Sequence, residues 1–274
     1  MPALDGATVA VLETRMSREL SELIRRLGGV PYVAPAVREV PHFENIPPFL
    51  DALTAGQFSI VIFQTGVGVT VLLREAERLG RLDETLGALR TTTVVCRGPK
   101  PVAVLKRNAV PVHLKAAEPY TTTELLDAFS SLEIDGRQVA LIHYGELNHR
   151  LADALRQRGA RLDEYVLYEW RLPEDCTRLT ALVRDLIDQH VDVIAFTSRV
   201  QCQHLFDVAR AGEMSEELTR ALSEHTIVGA VGPVCAAALQ AHHVIPDVLP
   251  AHPSMGALIA ALADYVELSS ESDQ

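Results

Sequence analysis

The sequence predicts an α/β protein built from two similar parallel-sheet, flavodoxin-like domains, and three observations carry that prediction. Short β-branched runs alternate with helical patterns along the 274 residues. The length suits two domains of roughly 150 residues each. The second half also echoes the first. Phe63, Gln64, Thr65 and Gly66 are matched by Phe196, Thr197, Ser198 and Arg199 at an offset of 133, and Gly98, Pro99 and Leu105 by Gly232, Pro233 and Leu239 at 134. Thr121, Leu125 and Phe129 are matched by Ser254, Leu258 and Leu262 at 133, and Leu20 and Gly28 more weakly by Leu151 and Gly159 at 131. Any α/β chain yields chance matches, but three consecutive units holding offsets of 133–134 point to an internal duplication.

The elements follow in order. The apolar run 9–12 fits a strand buried on both faces. Ser17 offers an N-cap to a helix whose face is Leu20, Leu23, Ile24 and Leu27, with Gly28 and Gly29 as its stop. An extended run 30–36 follows. Strands at 58–63, 93–96, 139–143, 191–196 and 227–231 precede helices near 69–79, 101–107, 148–158, 201–211 and 234–241. Pro253 opens a last helix to about 266, and the acidic tail 269–274 is expected to fray. Pro99 and Pro233 suit first helical turns, where a missing N–H costs nothing.

Composition narrows the function. Apolar residues make up 48% and charged residues 22%, the balance of a globular chain rather than a disordered one. The net charge of −11 argues against gripping nucleic acid or an anionic membrane, although a cleft can still be locally basic. Cys96, Cys176, Cys202 and Cys235 form no CxxC or CxxxC pair, so no zinc ribbon or redox motif can be drawn. No apolar stretch approaches the ~20 residues that cross a bilayer, and no secretory leader pattern precedes the first β-like run. A cytoplasmic protein with reduced thiols is expected.

Ligands of open parallel sheets sit beyond the carboxyl ends of the strands. The turns there are Thr14 and Arg15; Thr65, Gly66 and Gly68; Arg97, Gly98 and Lys100; Tyr144, Gly145 and Glu146; Thr197, Ser198 and Arg199; and Gly232 and Pro233. Glycines there free backbone N–H groups, and the following helix N-terminus favours anions. The run 65–70 invites a dinucleotide fingerprint but fails it, because Val71 stands where the third glycine is needed. No phosphate-binding loop and no GxSxG elbow occur, so Ser198 and Ser254 have no claim as nucleophiles. His242, His243 and His252 surround a helix end, where surface or capping roles are expected, and His143 and His149 flank the Tyr144–Gly145 turn as a strand-end and a helix-face residue. No metal is expected. Tyr165 and Tyr168 lie in an extended stretch, 162–171, and by pattern anchor it. Tyr120 precedes Thr121, Thr122 and Thr123, with Thr122 or Thr123 capping the helix that follows. Arg150 by default is a solvated helix-face residue.

In this order the residues resemble uroporphyrinogen-III synthases: Phe63 to Gly66, then Gly98 to Lys100, Gly145 with Arg150 and Gly159, Tyr168, Phe196 to Ser198, Gly232 and Pro233, and Pro253 to Met255. The resemblance implies that the first unit packs with the last three. One domain would then be 1–36 plus 172–274 and the other 40–165, with linkers at 37–39 and 166–171 and a cleft between mobile domains.

It further implies a cofactor-free, metal-free lyase acting on linear hydroxymethylbilane. Such an enzyme eliminates the terminal hydroxyl as water and closes the macrocycle with inversion of the last pyrrole, on the way to haem, sirohaem and cobalamin. Orientation is the main lever and general-acid help to the leaving hydroxyl the smaller one. Tyr168 falls on the family's linker tyrosine, the candidate proton donor. Thr65, Gly66, Gly98, Thr122, Tyr144, Gly145, Thr197, Ser198, Gly232, Pro233 and Ser254 fall on substrate-holding turns. Arg15, Arg97, Lys100, Arg150 and Arg199 are the cations placed near the substrate's carboxylates. The family pattern also implies a monomer, with transient contact to the deaminase that makes the bilane. Two departures stand out: Lys100 and Pro101 after the first Gly-Pro pair, and Val234 and Cys235 after the second, where family members carry hydroxyl residues. They motivate an alternative, a catalytically silent tetrapyrrole-binding or regulatory protein.

Overall fold

In a computed structural model of the chain, residues 3–272 are described. The strands are β1 Thr8–Val11, β2 Val30–Val33, β3 Arg38–Pro41, β4 Ile60–Phe63, β5 Thr93–Cys96, β6 Leu114–Lys115, β7 Gln138–Ile142, β8 Arg161–Tyr165, β9 Tyr168–Arg171, β10 Val193–Phe196 and β11 Ile227–Ala230. The chain forms two compact units: Met1–Arg38 with Arg171–Gln274, and Glu39–Trp170. Where it passes from one unit to the other, β3 and β9 pair as a two-stranded sheet.

The second unit carries a parallel sheet in the order β6-β5-β4-β7-β8. The first carries β11-β10-β1-β2, also parallel. Strand β10 starts 133 residues after β4, and β11 starts 134 after β5. The correspondence reaches the sheet edge. Val95 pairs with Leu114 in the second unit, and the isolated bridge Gly229–Val248 lies 134 residues further on. The two sheets therefore share one spatial order. Read in chain order, the first unit runs 2-1-3-4-5 with that bridge as its fifth member, and the second runs 3-2-1-4-5, a circular permutation of it. In each, the order reverses at one point: between β1 and β10, and between β4 and β7.

Both faces of each sheet are covered, which is why the strand runs read as continuous apolar stretches. In the second unit Val61 and Phe63 face a cluster with Phe49, Leu72 and Leu89, while Ile60 and Ile62 face one with Leu125, Phe129 and Leu151. In the first, Ile194 and Phe196 face Leu182 and Leu205, while Val193 and Ala195 face Leu20, Ile24 and Leu262.

Local expectations need several corrections. Ser17 is the first helical residue of Ser17–Arg26 rather than its cap, and its hydroxyl donates back to the Thr14 carbonyl at 3.2 Å. Thr121, not Thr122 or Thr123, caps Thr122–Ala128, in a reciprocal box with Glu124. Two helices start earlier than their apolar pattern, at Gly66 and Arg199, because Thr65 and Ser198 cap them by accepting the Gly68 and Gln201 N–H groups. The stretch 162–171 is broken into β8 and β9. The last helix runs Met255–Ser272, so the tail expected to fray is helical as far as it is described; residues 273 and 274 lie outside the described residues. Helices Ile46–Thr54, Leu82–Thr91, Thr177–Ile187 and Ser215–Glu224 complete the layers.

Candidate functional site

In the second unit, the sheet's reversal point opens between the ends of β4 and β7. Thr65 follows β4, and its Oγ1 lies 2.8 Å from the hydroxyl of Tyr168, which is fully buried. Tyr168 meets Trp170 edge-on, with ring centroids 5.9 Å apart. Trp170 in turn lies 5.7 Å from the ring of Tyr144, and the guanidinium of Arg97 sits over that ring at 4.7 Å. Gly145 makes this packing possible. Its φ is +81°, and a Cβ there would lie 2.7 Å from Trp170 Cδ2. Gly66 is held close for a similar reason, since a Cβ there would meet the Lys100 backbone at 3.1 Å.

Arg97 is the electrostatic feature of this crevice. Its side chain keeps partial solvent access, but the guanidinium is packed densely enough that desolvation lowers its pKa, with Tyr144 and Tyr168 pulling the other way. Among the described residues no carboxylate pairs with it. A poorly solvated cation without a counter-ion is costly unless an anionic ligand supplies one.

A buried polar chain lies beneath the crevice. His143, fully buried, follows β7; its Nδ1 accepts the Asn148 N–H at 3.0 Å, which places its proton on Nε2, donated to Glu164 Oε2 at 2.8 Å. Asn148 caps the helix His149–Gln157 through Oδ1 and donates its amide to Gln64 Oε1 at 2.8 Å and Thr122 Oγ1 at 3.0 Å. Burial pushes the Glu164 carboxyl up, yet hydrogen bonds from Arg156 and His143 outweigh it and leave its pKa low.

The first unit's reversal point has a different chemistry. Thr197 follows β10; its hydroxyl donates to Glu13 Oε1 and its N–H to Gln201 Oε1 at 2.8 Å, while Gln201 Nε2 donates to Glu13 at 3.2 Å. Ser198 caps the next helix. Ser254, exposed, caps Met255–Ser272 by accepting the Ala257 N–H at 3.2 Å. Cys235, two residues after Pro233, is core: its Sγ lies 3.5 Å from that of Cys202, both buried, and burial pushes the Cys202 thiol far up.

Comparison with known proteins decides the family. Residues 18–260 match the family model for uroporphyrinogen-III synthase HemD. The chain belongs to the uroporphyrinogen-III synthase family. It is 31% identical, over 90% of its length and 93% of the relative's, to a putative uroporphyrinogen-III synthase of Methanothermobacter thermautotrophicus. It is 32% identical to an uncharacterised Bacillus subtilis protein, YjjA, over 96% of its length and 97% of that protein's. A mutant uroporphyrinogen III synthase of Thermus thermophilus superposes with a TM-score of 0.73 at 25% identity, covering 97% of this chain and 100% of that one.

Of the residues that likeness to the uroporphyrinogen-III synthase family singles out, Thr65, Arg97, Tyr144, Gly145 and Tyr168 converge in one crevice, with Gly66 against the Lys100 backbone and Gly98 against Tyr120. Thr122 takes the Asn148 amide, and Arg150, exposed, donates to Thr123 at 2.9 Å. Arg15, Ser198, Arg199, Gly232 and Pro233 follow strands of the first unit, and Ser254 caps its last helix; Thr197 is engaged inward with Glu13. Sequence reasoning missed Trp170, Gln64, Asn148 and Glu13 as site-forming groups. Trp170 had a signal: the only tryptophan, it stands two residues from Tyr168 in an extended run, hence on the same face. His242 neither caps nor ligates; it stacks on Phe206 at 4.0 Å. Among the described residues no cluster of three or more His, Cys, Asp or Glu is placed to hold a metal, and no helix is long and apolar enough to span a membrane.

Proposed function

We propose that the chain catalyses the family's reaction: dehydrating and cyclising hydroxymethylbilane, with inversion of the terminal pyrrole, to uroporphyrinogen III. The observation that carries this reading is Arg97, a desolvated guanidinium over Tyr144 that lacks a carboxylate partner among the described residues. A tetrapyrrole precursor carrying acetate and propionate arms supplies that counter-charge, bidentately where the geometry allows.

The reaction loses water and involves no net oxidation or reduction, so it asks for orientation and a proton. Tyr168 is buried, so it reaches the substrate through Thr65. Thr65 Oγ1 accepts the Gly68 N–H and, in one orientation, the Tyr168 O–H. With both lone pairs used, its own O–H is left to donate to the leaving hydroxyl. The aromatic face of Trp170 suits the cationic azafulvene that forms when the hydroxyl departs. Backbone N–H groups at Gly66, Gly98, Gly145, Ser198 and Gly232 hold the remaining arms, aided by Arg15, Lys100, Arg150 and Arg199. The same reading makes the protein a monomeric cytoplasmic step of tetrapyrrole biosynthesis, fed by brief contact with the bilane-forming deaminase.

The test is an assay with freshly generated hydroxymethylbilane and chromatographic separation of the oxidised isomers. Unaided closure gives type I, so protein-dependent type III product supports the reading. Type I alone from folded protein overturns it in favour of a silent tetrapyrrole-binding protein, the alternative that Val234 and Cys235 raise.

A further inference from the structure

The six-residue segment from His143 to Asn148 is the structural base of the crevice, and one side chain closes it. The Asn148 N–H donates to His143 Nδ1 at 3.0 Å across the turn that carries Tyr144 and Gly145. The other ring nitrogen is anchored to Glu164 on the neighbouring strand at 2.8 Å, and the His143 N–H to the Tyr165 carbonyl at 2.9 Å. The imidazole is thus fixed in position and tautomer, and its Nδ1 must remain an acceptor. From this geometry we propose that His143 is a positioning residue: as a neutral imidazole it latches the Tyr144–Gly145 turn, and protonation of Nδ1 releases the latch.

The chemistry is a change of role at one atom. Nδ1–H would face the Asn148 N–H, two donors with no acceptor between them, so one hydrogen bond is lost and the turn must open to relieve it. Opening moves Tyr144 and Gly145, and with them the aromatic surface on which Arg97 rests. The groups facing the ring are Glu164 on β8, whose charge favours the imidazolium, and Arg156 and His149 on the following helix, which oppose it; desolvation is the largest influence and lowers the pKa. A lowered folded-state value means the unfolded chain takes up the proton first. The latch's contribution to stability is therefore present at neutral pH and lost as pH falls below the ordinary histidine range, about 6.5.

The chain reports on the latch directly, because its single tryptophan, Trp170, packs on Gly145 and beside Tyr144. Expected on acidification from about pH 7.5, as far as far-ultraviolet dichroism stays unchanged, is a single-step change in Trp170 emission. His143→Asn, whose amide oxygen can stand in for Nδ1 but does not titrate, should abolish that step. An acid transition that persists unaltered in His143→Asn, or its absence from the native chain, overturns the proposal. Should His143→Asn not fold, Glu164→Gln decides. Removing the charge that favours the imidazolium should move the step to lower pH, and an unmoved step overturns the latch. None of this needs substrate, so it fails or stands apart from the proposed activity. Only the consequence for affinity rests on that activity: binding about three- to tenfold weaker at the acid end in the native chain, and pH-independent in His143→Asn.

Discussion

The two reversal points are counterparts built on one register, and their residues differ at nearly every position that faces out. Strand pairing aligns β4 with β10 at 133 residues and β7 with β1 at 130. His143, Tyr144 and Gly145 therefore correspond to Glu13, Thr14 and Arg15; Gln64 and Thr65 to Thr197 and Ser198; and Arg97 to Val231. What persists is the helix-capping hydroxyl, Thr65 or Ser198, which the backbone needs in order to start the next helix. What changes is the chemistry beyond it. The second unit gathers aromatic rings and a cation that, among the described residues, has no carboxylate partner; the first gathers a carboxylate held by a threonine and a glutamine. The fold conserves the frame and leaves the strand ends open to specialise.

That difference can be broken from the second unit's side. Gly145→Val should have the largest effect. It forces a β-branched residue to φ +81° and drives it into Trp170, at a cost of about 3 kcal/mol in urea unfolding. The equivalent residue of the first unit, Arg15, already carries a side chain and should accept Arg15→Val within about 0.5 kcal/mol. Next is Arg97→Met, which makes this position apolar like Val231. Bilane affinity should fall by about ten- to a hundredfold while the melting temperature does not, because a desolvated cation has been removed. A lower melting temperature with unchanged affinity would make Arg97 structural.

Tyr168→Phe follows. Losing the bond to Thr65 should cost about 1 kcal/mol of stability and lower type III formation about tenfold, seen in turnover rather than in KM. The smallest effect belongs to the first unit. Glu13→Gln keeps a hydrogen-bond acceptor for Thr197 and Gln201 but drops a charge. Binding of a polycarboxylate should tighten by about twofold at low salt, and the gain should vanish in high salt.

Much of the frame was legible in the sequence because parallel strands buried on both faces must be apolar, and prolines and glycines must punctuate them. The runs at β1, β5 and β10 and the offset of 133–134 show this. The helices Leu82–Thr91 and Ser215–Glu224 were not, being amphipathic connectors without a strand-end motif. Thr65 and Tyr168 could be named singly, but their 2.8 Å contact joins residues 103 apart, which no local pattern encodes. Asn148 and Glu13 were missed because their roles come from which strands become neighbours, and register is a tertiary property.

The most direct measurement is the ratio of type III to type I isomer formed from one preparation of hydroxymethylbilane by the native chain, Tyr168→Phe and Glu13→Gln side by side. If the second unit's crevice directs the ring-inverting closure, the native chain and Glu13→Gln give mainly type III, and Tyr168→Phe shifts the product towards type I. Type I alone from the folded native chain, or a ratio that follows Glu13 and ignores Tyr168, contradicts it.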